Sequence, residues 1–216
     1  FVFFRFLIAS TIFLFLFKLG MKNESKLHDS SLDYYSIILG IIMVIGMLLQ
    51  QIGLQYTTVA RAGFVTSLYI IFVPLLGLFL SIKTDLLTLI GIVVALMGFY
   101  LLANINPEEF LFGDLLMLAS SVLWASHVLI ISRIARLVSI VRVMTIQFVT
   151  VAVISGVLML LYESWSINDL ARATYSLLFV AILSSCLGFS FQVLAQRKAP
   201  PSHSALILST EAIFAA

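Results

Sequence analysis

GMLLQQIGLQYTTVARAGFVTSLYIIF, residues 46–72, recurs in altered form as GFSFQVLAQRKAPPSHSALILSTEAIF, residues 188–214. At an offset of 142 positions Gly46 aligns with Gly188, Gln50 with Gln192, Ser67 with Ser209, Ile71 with Ile213 and Phe72 with Phe214. Between the matched flanks each copy carries a short polar turn, YTTVAR in the first and KAPPSH in the second. The identities are few. Their placement carries more weight, because glycine, glutamine and turn fall at the same points of one helix–turn–helix unit.

Composition identifies the solvent around that unit. Of 216 residues, 62% are hydrophobic and only 10% are charged, with a mean hydropathy of +1.17. A soluble domain averages about 25% charged residues, and most of any folded surface must still meet its solvent. That solvent is lipid. The net charge of +2 gives no ground for a nucleic-acid partner. The single cysteine, Cys186, cannot form an internal disulfide and reads as a small packing residue.

A spanning helix needs roughly 20 mostly apolar residues. Seven such segments and a partial eighth fit the chain: 1–18, 36–55, 61–80, 85–103, 113–132, 141–162, 174–195 and 203–216. The joints between them are polar and short, and the two prolines of QRKAPPS at 196–202 suit a helix boundary. When the segments alternate in direction, Lys18, Lys22, Lys26, Lys83, Arg133, Arg136, Arg142, Arg197 and Lys198 share one side, against Arg5, Arg61 and Arg172 on the other. The basic side is cytoplasmic by the positive-inside rule. The 56–61 turn then lies outside and the 198–203 turn inside. The second copy is therefore inverted across the membrane, a transporter signature with the substrate site near the midplane between repeats.

Three stretches carry a family resemblance: GLQYTTVARAGFVTSLYIIFVPLLGLFL at 53–80, GDLLMLASSVLWASHVLI at 113–130, and APPSHSALILSTEAIFAA at 199–216, with FFRF at 3–6 in support. In order and spacing the chain resembles the drug/metabolite transporter superfamily, of the EamA permease type. The resemblance implies an all-α polytopic membrane bundle of two inverted five-helix repeats, ten helices in all, with residues 1–104 in the first repeat and 111–216 in the second. About eight helices are expected here, corresponding to the family's second to ninth. The chain opens at Phe1 without an initiator Met and closes in an apolar run, and it reads as a fragment lacking one helix at each end and inactive as it stands. The resemblance implies a secondary transporter or exporter of small metabolites, amino acids or drugs, in the cell membrane, of the bacterial inner-membrane kind. Ala212 stands where the family commonly has proline, which bears on any kink in the ninth helix.

Seven residues are candidates for contact with substrate. Glu211 is a carboxylate in an otherwise apolar run, and a charge at membrane depth costs about 3 kcal/mol unless it meets protein, water or a partner. Burial raises a carboxyl pKa, which suits a coupling proton; the plainer alternative is a structural glutamate bonded to a neighbouring helix. Thr66 and Tyr69, spaced by three on one helix face, are the counterparts of Leu208 and Glu211. Gln50 and Gln192 are the repeated glutamines, which need polar partners away from lipid. Trp124 and His127 form a polar and aromatic stripe with Ser120, at spacings of three and four. Interhelical hydrogen bonding or core packing is the competing account of all six. The dense glycines, Gly40, Gly46, Gly53, Gly63, Gly77, Gly91 and Gly98, read as points of close helix approach, and Pro74 as a kink in the third segment.

The other function classes find less support. No GxSxG or HExxH occurs, so no catalytic residue is assigned and an enzyme is not expected. His127 has no second ligand at suitable spacing, so neither metal nor cofactor is expected. A channel needs a charged ring or filter loop, and none is visible. The expected partners are the lipid bilayer, a small-molecule substrate and a coupling proton.

Overall fold

The computed structural model describes residues 1–19, 30–103, 112–163 and 166–210. All regular structure among them is helical, because a chain in hydrocarbon must satisfy its backbone groups within each segment. The helices are α1 (Val2–Lys18), α2 (Ser30–Gly53), α3 (Val59–Ser67), α4 (Tyr69–Phe79), α5 (Leu86–Ala103), α6 (Phe112–Ile134) and α7 (Ile140–Tyr162). Then follow α8 (Ile167–Phe179), a π-helical stretch (Val180–Gly188), α9 (Phe189–Gln196) and α10 (Pro201–Leu208). Five stretches among the described residues are long and apolar enough to cross a membrane: Leu32–Gly53, Val59–Phe79, Phe112–Ile134, Ile140–Tyr162 and Leu170–Gln196. The chain is a multi-pass membrane protein.

The repeat visible in sequence reappears in the helix boundaries. Thr58 caps α3 and Pro200 caps α10, so the two helices start on equivalent residues, Val59 and Pro201. Different chemistry does the same work at each start. The Thr58 hydroxyl accepts from the Arg61 amide at 3.3 Å, satisfying one orphan donor. Pro201 stands at the first helical position, where its missing N–H loses nothing.

The third segment, read from sequence as one kinked helix, is two. It breaks at Leu68, between α3 and α4, and Pro74 lies within α4. The Leu68 amide bonds to the Val65 carbonyl three residues back, at 3.2 Å, so the turn there is tighter than α. The seventh segment also departs from a plain helix, through its π-helical stretch.

Two helix ends around the α4–α5 connection are closed by local bonds. Past α4, the Ile82 amide bonds to the Gly77 carbonyl at 2.9 Å and the Ser81 amide to Leu78 at 3.1 Å. This is a Schellman cap, with Ser81 at φ 58° in the left-handed region usually given to glycine. At the start of α5 the Asp85 carboxylate accepts from the Thr88 amide at 3.1 Å and from its hydroxyl at 2.5 Å. Thr88, and next the His203 side chain at 3.1 Å, hold the Asp85 carboxyl well below the usual carboxylate range.

The chain divides into two compact units that do not follow the halves of the sequence. One comprises Phe1–Val44 and Arg133–Lys198, the other Ile45–Ser132 and Ala199–Ala216. In the first, Phe148 is fully buried and takes edge contacts from Phe6, Phe13 and Phe189, with centroids 5.3, 5.5 and 6.1 Å away. Arg142 at the head of α7 grips Asp33 of α2 with two bonds of 2.7 Å. Gly40 is required there: a Cβ would sit 2.6 Å from the Thr150 Cβ and 2.8 Å from the Gln147 carbonyl. In the second unit Tyr69, Ile70, Val73, Ile92, Phe99, Ala125, Val128, Leu129 and Ala205 form the core. Gly53 and Gly113 let α2 and α6 touch, since a Cβ on Gly113 would meet the Gly53 carbonyl at 2.5 Å. Gly63 and Gly98 meet nothing within 4 Å, so the close-approach reading does not extend to them.

Candidate functional site

Five of the seven candidate residues, Gln50, Thr66, Tyr69, Trp124 and His127, belong to the second unit, and α6 organises them. Its residues Gly113, Met117, Ser120, Trp124 and His127 recur at alternating steps of four and three, which keeps them on one helix face. Along that face the Ser120 hydroxyl donates to the Gly46 carbonyl of α2 at 3.0 Å. Trp124 packs over Gly46, where a Cβ would lie 3.6 Å from the indole. The Trp124 and His127 rings meet edge-on, 5.6 Å between centroids, and His127 is fully buried.

Nearer the turn, Gln50 of α2 donates to the Thr66 hydroxyl at 3.5 Å, and Thr66 donates to the Met117 sulfur at 3.6 Å. Both bonds are long and weak. Gln50, Thr66 and Trp124 are only partly buried, so these polar groups are cheap to redirect. Tyr69 is different. It is buried, and its phenol donates to the Ala205 carbonyl of α10 at 3.2 Å.

The two remaining candidates are not part of this arrangement among the described residues. Gln192 is half-buried on α9, in the first unit. Glu211 lies outside the described residues.

The structure also brings together charges that the sequence reading did not pair. Arg61 of α3 forms an ion pair with Asp114 at the head of α6, and Thr57 donates to the same carboxylate at 2.7 Å. The side chains are 11% and 3% exposed, so this is a buried pair with its lone pairs used. The usable signal was opposite charge at the adjoining ends of two segments. In sequence, Arg61 bears on the topology alone, and Asp114 stands at the start of an apolar segment with no partner in view. In the first unit Arg5 of α1 reaches the hydroxyls of Ser184 and Ser185. Among the described residues, no group of three or more His, Cys, Asp or Glu side chains is placed to hold a metal ion.

Comparison with known proteins agrees with this architecture. The EamA-like transporter family pattern matches twice, over residues 1–104 and over 111–216. An uncharacterized transporter of Archaeoglobus fulgidus is 28% identical over 179 residues, which is 82% of this chain and 57% of that protein. The chain thus spans a little over half the length of this relative.

Proposed function

The chain belongs to the EamA-like transporter family, and from that premise we propose that it is a secondary transporter moving a small metabolite, amino acid or drug by alternating access. One observation supports this reading above the others. The helix–turn–helix that enters α3 at Val59 is repeated where α10 begins at Pro201, and the family pattern falls on both halves. If the second copy runs the opposite way across the membrane, as the distribution of lysine and arginine implies, the two copies can exchange conformations. An exchange of that kind opens one site alternately to each side.

In this reading residues 1–104 and 111–216 are the two inverted repeats. The face of α6 that carries Ser120, Trp124 and His127 is the rigid wall of the pathway. Gln50 and Thr66, held by long hydrogen bonds, are the groups a polar solute displaces most easily. Tyr69 positions the α4–α10 contact, Gln192 supplies the equivalent amide in the second repeat, and Glu211 carries a coupling proton.

The test is flux through the full-length protein in proteoliposomes, driven by an imposed proton gradient and screened against a panel of amino acids and amphipathic drugs. Gradient-dependent accumulation of a panel member is expected, and Glu211→Gln is expected to abolish the gradient dependence. Equal flux in empty liposomes for every solute would contradict the transporter reading. Unchanged pH dependence in Glu211→Gln would remove that residue from the coupling step.

A further inference from the structure

Arg5 is placed where a charge is hard to keep. It lies in the apolar helix α1, and its Nε donates to the Ser185 hydroxyl at 2.7 Å and an Nη to the Ser184 hydroxyl at 3.1 Å. Both serines fall near the middle of the Leu170–Gln196 span, so the guanidinium is held far from either end of that helix. Arg5 therefore drops out of the outer-side count, which keeps Arg61 and Arg172 against nine basic residues on the other side. The Phe6 ring lies 5.2 Å from its central carbon. Hydroxyls and a ring face orient a guanidinium, but they do not neutralise it.

The contrast with the other arginines is direct. Arg61 and Arg142 each meet an aspartate, whereas among the described residues no carboxylate pairs with Arg5. Arginine carries five N–H donors in a planar fork, and the two serines occupy two of them. Local backbone geometry adds to this. Val180–Gly188 is π-helical, and π-turns are concentrated at functional sites. A π-turn is wider than an α-turn, so consecutive side chains diverge less, and neighbouring serines can reach one guanidinium. Ser185 is fully buried, while Ser184 is exposed. Because Ser184 accepts from Arg5, its own hydroxyl hydrogen is left to donate to a ligand beside the guanidinium.

We propose that Arg5, assisted by Ser184, is the recognition point for a carboxylate group on the transported substrate, which is therefore a monocarboxylate or an amino acid. This inference rests on the transporter reading above, and it narrows that reading to one substrate class. A carboxylate accepts two parallel bonds from the guanidinium fork and supplies the counter-charge that the hydroxyls lack. An uncharged amide of the same shape does neither.

Binding tests this apart from transport. Melting of the full-length protein in detergent is followed against rising hexanoate or L-leucine, with hexanamide and L-leucinamide as matched controls at constant ionic strength. A ligand that binds only the folded state raises the melting temperature with its concentration. A carboxylate must raise it where its amide does not. Arg5→Gln must lose that rise, and Arg5→Lys, which keeps the charge but not the fork, must bind about tenfold more weakly. Ser184→Ala must weaken binding by a smaller factor. Equal shifts from acid and amide, or no shift from either acid, would overturn the proposal. So would a full carboxylate response in Arg5→Gln. If that variant does not fold, wild-type affinity in both Arg5→Lys and Ser184→Ala overturns it instead. Carboxylate binding without flux would count against the transporter reading alone, and flux of neutral solutes with no carboxylate effect against this inference alone.

Discussion

The Tyr69 phenol donates to the Ala205 carbonyl at 3.2 Å, a buried bond that joins α4 to α10. The donor belongs to the first copy of the repeated unit and the acceptor to the second. The Ala205 carbonyl also accepts from the Ser209 amide at 2.9 Å, so losing the phenol does not orphan it. Tyr69→Phe should therefore lose about 1 kcal/mol of stability, or about 3 °C in melting temperature for a chain of this size. Tyr69→Ala removes a ring packed in the core and should lose about 3–5 kcal/mol. Differential scanning fluorimetry of the two variants separates the hydrogen bond from the packing.

Arg61 and Asp114 make a stronger case, because each is nearly enclosed. Removing one partner leaves a buried charge, a loss of about 3–5 kcal/mol. Asp114→Ala and Arg61→Ala should each approach that loss. The double variant should be destabilised by much less than their sum, since no charge is then stranded. A thermodynamic cycle over the four proteins measures the coupling directly. An additive result would mean the pair does not hold α3 to α6.

The glycines divide into those that sit against a neighbour and those that do not. Gly40→Ala drives a methyl to within 2.6 Å of the Thr150 Cβ and should lose about 1–3 kcal/mol by overpacking. Gly63→Ala and Gly98→Ala place a methyl in open space inside a helix, and each should gain about 0.5–1 kcal/mol from reduced backbone freedom. Opposite signs in one melting experiment are the expected outcome.

Ser81 closes the Schellman cap of α4 at φ 58°, a conformation that strains any residue with a Cβ by roughly 1–2 kcal/mol. Ser81→Gly keeps both backbone bonds and removes the strain. It should raise stability by about 1 kcal/mol, read as a higher melting temperature.

How much of this was legible beforehand follows the physics of each feature. Membrane embedding and all-helical structure follow from apolar length and composition, and lipid leaves the backbone little choice. The repeat was visible because Gly46, Gln50 and their counterparts at Gly188 and Gln192 mark one unit twice; the structure then started α3 and α10 on equivalent residues. The stripe of Ser120, Trp124 and His127 was legible as helical periodicity. The break at Leu68 was not, since the one proline of that segment, Pro74, lies within α4 and neither glycine, Gly63 or Gly77, falls at the break. The π-helical stretch carries no composition signal that separates it from an α-helix. The pairings of Arg61 with Asp114 and of Arg5 with Ser184 and Ser185 depend on which helices become neighbours. One sequence shows residue types and spacings, but not that adjacency.

The central claim is that the two copies of the helix–turn–helix are mirror-oriented in the membrane. Single cysteines introduced in a Cys186→Ser background, as Tyr56→Cys in one turn and Lys198→Cys in the other, measure it most directly. The full-length protein is labelled with a membrane-impermeant maleimide in right-side-out and in inside-out vesicles. Reaction of Tyr56→Cys in right-side-out vesicles only, and of Lys198→Cys in inside-out vesicles only, is the predicted result. Labelling of both from the same side would contradict the inverted repeat, and alternating access between mirror-oriented copies would go with it.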